Sequence, residues 1–118
     1  YTHYSLMVFG HNRIPIVKWL REQGQESLSH AEEIGEMVTT YGGHPSLKIK
    51  KLLETHQHSI TDILKESLAH EEEVLVNYHG LLSLVADKDV LLEEFARKMI
   101  YEEEIHGSEV KKMLREAR

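Results

Sequence analysis

In the stretch Phe95-Ala96-Arg97-Lys98-Met99-Ile100-Tyr101-Glu102-Glu103-Glu104-Ile105-His106-Gly107, an apolar helical stripe runs into two residues that do not belong on it. Steps of three and four along this stretch and its flanks, the spacing of one helix face, give Leu92, Phe95, Met99, Glu103, His106, Val110 and Met113. Both interruptions are metal-ligating residue types. Glu103 and His106 stand at i, i+3, about 60° apart around a helix, so both side chains reach one point near a bundle axis.

Two earlier stretches repeat the pattern. One reads Ile60, Leu64, Leu68, Glu71, Leu75, Tyr78, Leu82 and Val85, with a carboxylate inside the stripe. The other reads Ile16, Leu20, Gln23, Ser27, His30, Ile34, Met37 or Val38, and Tyr41, and is polar at its middle level. Enclosing a carboxylate without compensation costs several kcal/mol or forces it neutral, and a buried imidazole needs a partner for at least one nitrogen. Glu71, Glu103, His106 and His30 together supply two negative charges and two neutral nitrogen donors. That set suits one or two divalent cations of intermediate softness such as Fe, Mn or Zn. One Glu-x-x-His is a weak signal in a chain with 9 histidines. The specificity lies in the coincidence on three stripes.

Punctuation divides the chain into four pieces. It falls at Gly10-His11-Asn12-Arg13-Ile14-Pro15, at Tyr41-Gly42-Gly43-His44-Pro45 and at Ala86-Asp87-Lys88-Asp89. Pro15 suits a first helical turn, and Gly42-Gly43 supply the positive φ that closes a helix, so one helix is expected from about 15 to 41. Ser59 with Asp62 resembles a capping box opening a helix to about 85. Asp87 or Asp89 can cap another from about 89 to 116. Residues 1 to 10 read as the remnant of a first helix, and 45 to 58 as a longer connection that can be helical in part through Leu47, Ile49, Leu52 and Leu53. The chain opens on Tyr1, and further residues are expected upstream of it.

At 118 residues with 41% hydrophobic and 29% charged content, the chain reads as one domain, 1–118, of all-α class. With 14 basic and 20 acidic residues the net charge is −6, which repels a phosphate backbone, so nucleic acid is not an expected partner. No cysteine is present, which excludes disulfide scaffolds, thiolate metal sites and thiol nucleophiles. No apolar run approaches a membrane span and no signal-peptide pattern opens the chain, so no membrane partner and a cytoplasmic location are expected.

These residues resemble the ferritin-like superfamily, most closely the bacterioferritins. Glu26-Ser27-Leu28-Ser29-His30-Ala31-Glu32-Glu33-Ile34 resembles their second-helix ligand segment, and Gly42-Gly43-His44-Pro45-Ser46-Leu47 its Gly-x-Pro exit. Leu68-Ala69-His70-Glu71 resembles the third-helix segment with a metal-binding Glu, and Tyr101-Glu102-Glu103-Glu104-Ile105-His106 the fourth-helix Glu-x-x-His. Tyr1 matches a first-helix tyrosine beside the metals and Tyr4 a nearby polar position. The resemblance spans essentially the whole chain. It implies an antiparallel four-helix bundle with a long crossover between helices 2 and 3, the first helix truncated here. It also implies an iron site, di-iron or mononuclear, with Mn or Zn as substitutes. Fe(II) would be oxidised by dioxygen or peroxide, a ferroxidase activity, and stored as ferric mineral in a homo-oligomeric or mixed ferritin shell. On this analogy His30 and Glu71 each hold an iron, His106 completes one ligand set and Glu103 bridges.

Three positions depart from the family pattern. The first-helix Glu would fall before Tyr1. Ser27 stands where a bridging carboxylate is usual, and Glu26, one turn from His30, can substitute although it leans about 100° off the stripe. Leu28 replaces the haem-ligating methionine and has no donor atom, so haem held in that way is not expected. Two rivals stand beside the iron reading: another dinuclear-metal oxidoreductase, peroxide-reducing or manganese catalase-like, and a metal-free helical structural or co-assembly subunit. A low-activity partner that co-assembles with a competent subunit is a variant of the first reading.

The remaining features have plainer explanations. His56-Gln57-His58 reads as a solvated helix entrance, since no carboxylate is fixed beside it. His70 points about 100° from Glu71 and reads as a surface or interface residue. Glu72, Glu73, Glu102 and Glu104 read as hydrated faces, and Trp19, Met7, Phe9, Phe95 and Met99 as packing.

Overall fold

The computed structural model describes residues 1–52 and 55–115. Its elements are α1 (Thr2–Ser5), α2 (Arg13–Thr40), α3 (Ile60–Val85) and α4 (Val90–Leu114), with no strand among the described residues. The expected all-α class with three long helices is thus what the chain adopts. It divides into two compact units, Tyr1–Ile60 and Thr61–Arg118.

In the first unit, α2 begins two residues before Pro15, which sits in the first turn where its missing N–H removes no bond. Its end is built by Gly42 and Gly43. The Gly43 N–H donates to Val38 O at 2.9 Å and the Gly42 N–H to Thr39 O at 3.0 Å. Gly42 takes φ +78°. This is the paired arrangement that satisfies a helix's last carbonyls, and only glycine adopts it without strain. Instead of a ten-residue remnant, the first helix is a single turn followed by bends up to Gly10, whose φ is +104°. That turn is seated on α2 by an edge-to-face contact of Tyr1 with Trp19 and by a 3.4 Å hydrogen bond from Arg21 Nε to the buried Ser5 Oγ. Gly24 makes the approach possible, since a Cβ there would lie 2.8 Å from Thr2 Oγ1.

No helix forms over residues 44–52, where Leu47, Ile49 and Leu52 are exposed. Pro45 denies continuation from α2, and the apolar residues mostly alternate with lysines instead of recurring at helical spacing. Leu53 lies outside the described residues. Ser27 and Tyr41, expected on the α2 stripe, are also exposed, as are Phe9, read as packing, and Ile34. The enclosed positions of α2 are Val17 and Leu20, with Gln23, His30, Glu33 and Met37 half-buried. The true stripe steps from His30 by three to Glu33 rather than by four to Ile34.

In the second unit, α3 buries Ile63, Leu64, Ser67, Glu71 and Tyr78, and α4 buries Phe95, Ala96, Met99, Glu103, Gly107 and Val110. Of the stripes read from the sequence, Leu64, Glu71 and Tyr78 on α3 and Phe95, Met99, Glu103 and Val110 on α4 are buried, whereas Ile63, Ser67, Ala96 and Gly107 lie off them and Met113 is exposed. Ser67 is accommodated because its Oγ donates to Ile63 O at 2.8 Å. Between the helices Asp87 takes a left-handed φ of +62°, a conformation that Asp tolerates better than most residues. Asp89 is the cap: its Oδ1 accepts the Leu92 N–H at 3.0 Å. Of the two aspartates that could open α4, only the second has the extended backbone an N-cap needs. The helix is described to Leu114, with Arg115 as its C-cap. The expected end near 116 lies outside the described residues.

Asp89→Ala is expected to lower unfolding free energy by about 1 kcal/mol, and Asp89→Asn to restore most of it, since either side chain accepts the Leu92 N–H. Urea unfolding followed by circular dichroism checks this. Equal losses for both variants would show that the cap contributes nothing.

Candidate metal centre

The second unit brings together two of the residues singled out in the sequence. Glu71 of α3 and His106 of α4 meet with Oε1 3.4 Å from Nε2, their side chains only 7% and 10% exposed. Each helix has polar residues at this level because its stripe is interrupted there, and the turn at 86–89 sets one interruption opposite the other. One turn before His106 on α4, Glu103 is also buried, to 6% exposure. Gly107 adds no bulk, and a Cβ there would only reach ordinary contact with Leu68 at 4.0 Å. A cleft of about 180 Å³, lined by Leu68, Glu71, Glu72, Leu75, Glu104 and Lys111 among others, runs past the buried carboxylate. Glu71 is therefore enclosed but not sealed.

Two carboxylates and an imidazole, nine-tenths buried, are a costly combination in a low-dielectric interior. Glu71 and His106 bring one anionic oxygen and one nitrogen donor together, a pairing that suits a divalent first-row cation, and Glu103 is a further buried carboxylate one helical turn from His106. A pair at 3.4 Å also leaves room for a bridging ion after small side-chain rotations, since metal–ligand bonds are about 2.0–2.2 Å.

In the first unit, His30 and Glu26 of α2 lie one turn apart with Nε2 3.8 Å from Oε1. His30 is 12% exposed and Glu26 is 45% exposed. The 100° offset of Glu26 from position 27 does not keep it from the imidazole, because i, i+4 side chains are neighbours on a helix. Ser27 and Leu28 both face solvent. Tyr1 is half-buried against Trp19, and Tyr4 is buried with its ring 5.8 Å from that of His58. His56 is exposed and His58 half-buried. A larger groove along α2, lined by Arg13, Val17, Lys18 and Arg21 among others, is basic and ill suited to a cation.

Sequence reasoning passed over several partly enclosed carboxylates. Glu33 and Glu66 each have a fully buried carboxylate oxygen, and Glu102 is half-buried rather than on a hydrated face. The signal was present. A step of three from His30 reaches Glu33, and a step of three from Met99 reaches Glu102, but the alternative step of four was followed in each case. Glu72, Glu73, Glu104 and His70 are exposed, as read.

A ferritin-like domain model matches residues 1–118, the entire chain. The chain belongs to the ferritin-like family. No curated protein and no solved structure gives a significant match. Bundles of this kind build metal sites from inward-facing side chains near mid-helix.

Because a buried hydrogen-bonding group left without its partner costs about 1–3 kcal/mol, His106→Ala should destabilise this ferritin-like chain by that amount in chelator-treated protein. Glu26→Ala, at a half-exposed pair, should change stability by less than about 1 kcal/mol. Chemical denaturation of both variants checks the contrast. Equal effects would mean that the second-unit pair is not held in a closed environment.

Proposed function

We propose that this ferritin-like chain is an iron-handling subunit of bacterioferritin type, taking up Fe(II), oxidising it with dioxygen or peroxide, and passing it as ferric mineral into an oligomeric shell in the cytoplasm. The observation that carries the reading is the buried Glu71–His106 pair at 3.4 Å with buried Glu103 on the same helix. An enclosed carboxylate and imidazole this close are donors that one cation can share.

In this reading Glu71, Glu103 and His106 hold iron between α3 and α4, and His30 with Glu26 offers further ligands on α2. Bound Fe(II) supplies the electrons and dioxygen or peroxide accepts them. The chain's own contribution is to fix the carboxylates in place, to favour the more highly charged Fe(III) by their negative charge, and to keep bulk water from competing for the ligand positions. Glu72 and Glu104, on the cleft beside Glu71, raise the local concentration of cations. No helix among the described residues is long and apolar enough to cross a membrane.

Ser27 favours a second form of the same reading. With a solvent-facing hydroxyl where the family's pattern has a carboxylate, the negative charge available to two metals is reduced. A subunit of low intrinsic activity that co-assembles with a competent one follows from that reduction.

Anaerobic Fe(II) titration followed by addition of air or peroxide tests the function. Near-ultraviolet absorbance of ferric product should rise faster with protein than with buffer alone. Glu71→Gln should slow the increase by more than about tenfold, since loss of a direct ligand exceeds the effect of losing an outer-shell partner. A rate equal to buffer in the unmodified protein, with no iron retained after desalting, would refute it.

A further inference from the structure

We infer that the cleft between α3 and α4 is the route by which a divalent cation reaches Glu71, and that Lys111 on its wall restrains entry. The inference rests on the iron-binding reading above and adds to it a path and a residue that governs traffic along that path.

The turn at 86–89 makes α3 and α4 antiparallel, and two contacts fix their register. Glu71 Oε1 lies 3.4 Å from His106 Nε2, and Leu68 is the side chain that a Cβ on Gly107 would meet. The cleft of about 180 Å³ runs along this seam, with Glu71 midway along its α3 wall. In that register Glu104 falls toward the Leu75 end, with Glu72, and Lys111 falls toward the Leu68 end. Glu72, Glu104 and Lys111 are exposed and form the rim, whereas Leu68 and Leu75 are half-buried and give the cleft apolar walls. Walls of low dielectric concentrate the field of the charges around them.

Gly107 is an independent observation. It is buried in the interior of α4, where glycine is a poorer helix former than alanine. Packing within the second unit does not demand it, since a Cβ at 107 would come no closer than 4.0 Å to Leu68, an ordinary contact. Its effect is on the cleft: the space a methyl group would fill stays open beside the Glu71–His106 pair.

Lys111 sets the balance of charge. It stands five residues beyond His106. That is about 7.5 Å along the axis of α4, within the screening length of about 8 Å at physiological salt. Its ammonium therefore acts on an ion arriving at Glu71, and repels a divalent ion twice as strongly as a monovalent one. Glu109, the acid nearest to it in sequence, is paired with Lys112 at 3.2 Å and does not offset it. Glu72 and Glu104 draw cations in while Lys111 opposes them, so the rates of entry and release follow from the balance of the three.

Co(II) is the probe, mixed with the full chain in a stopped-flow instrument and followed by its visible d–d bands. At low salt Lys111→Gln should raise the association rate by about threefold or more, and Glu72→Gln combined with Glu104→Gln should lower it by a similar factor, as expected where a few charges steer association. Both differences should vanish at about 1 M salt, where screening acts within roughly 3 Å. Gly107→Ala should slow association and dissociation together and leave the dissociation constant from calorimetry unchanged, because an obstruction affects both directions alike and removes no ligand. The three charged positions are exposed, so their variants keep the fold whatever Gly107→Ala does. A Lys111→Gln rate equal to that of the unmodified chain at low salt, or unchanged rates in Gly107→Ala, overturns the inference while leaving the enclosed donors standing. Failure of the unmodified chain to bind any Co(II) overturns the iron-binding reading itself.

Discussion

The burial of Glu71 against His106 is the constraint on which the second unit turns. Hydrophobic positions above and below, Leu64 and Ile63 on α3, Phe95, Met99 and Val110 on α4, would pack as well or better with apolar residues at this level. Replacing buried ion pairs by apolar groups is often neutral or stabilising, so a pair of this kind is weak support for stability and calls for another reason to exist. In the iron-handling reading proposed above, ligation would supply that reason, and cation binding to the folded state alone would couple occupancy to stability.

Much of this was legible in the sequence, because two periodicities and a few punctuating residues determine it. Asp89, Gly42-Gly43 and Pro15 each act through local backbone chemistry that neighbours do not override, and helix boundaries fell within one or two residues of expectation wherever such a signal stood. Glu71 and Glu103 were recognisable because a charged residue on an otherwise apolar stripe is conspicuous. Less legible were positions where a step of three and a step of four both landed on reasonable residues. Between Glu33 and Ile34 the hydrophobicity rule favours isoleucine, yet the helix buries part of the glutamate, as expected where polar burial serves a purpose beyond packing.

The connection after α2 failed to match expectation for a related reason. Leu47, Ile49 and Leu52 suggested partial helix by composition, but helices shorter than about 12–15 residues gain little without a surface to pack on. Nothing among the described residues buries these side chains. The first helix shows the opposite case: four residues hold helical form because Tyr1, Thr2 and Ser5 are pinned to Trp19, Gly24 and Arg21.

The lysines of that connection have their own significance. Leu47-Lys48-Ile49-Lys50-Lys51-Leu52 places apolar side chains in open solvent next to three ammonium groups. An exposed apolar run with unpaired backbone is a template for intermolecular sheet growth, and lysine is a common guard against it, since stacking identical strands would bring like charges together at every rung. Electrostatic repulsion among these lysines opposes such stacking, and a reagent that neutralises those amines, such as an acetylating agent, would weaken the opposition without touching a single residue of the helices' interior.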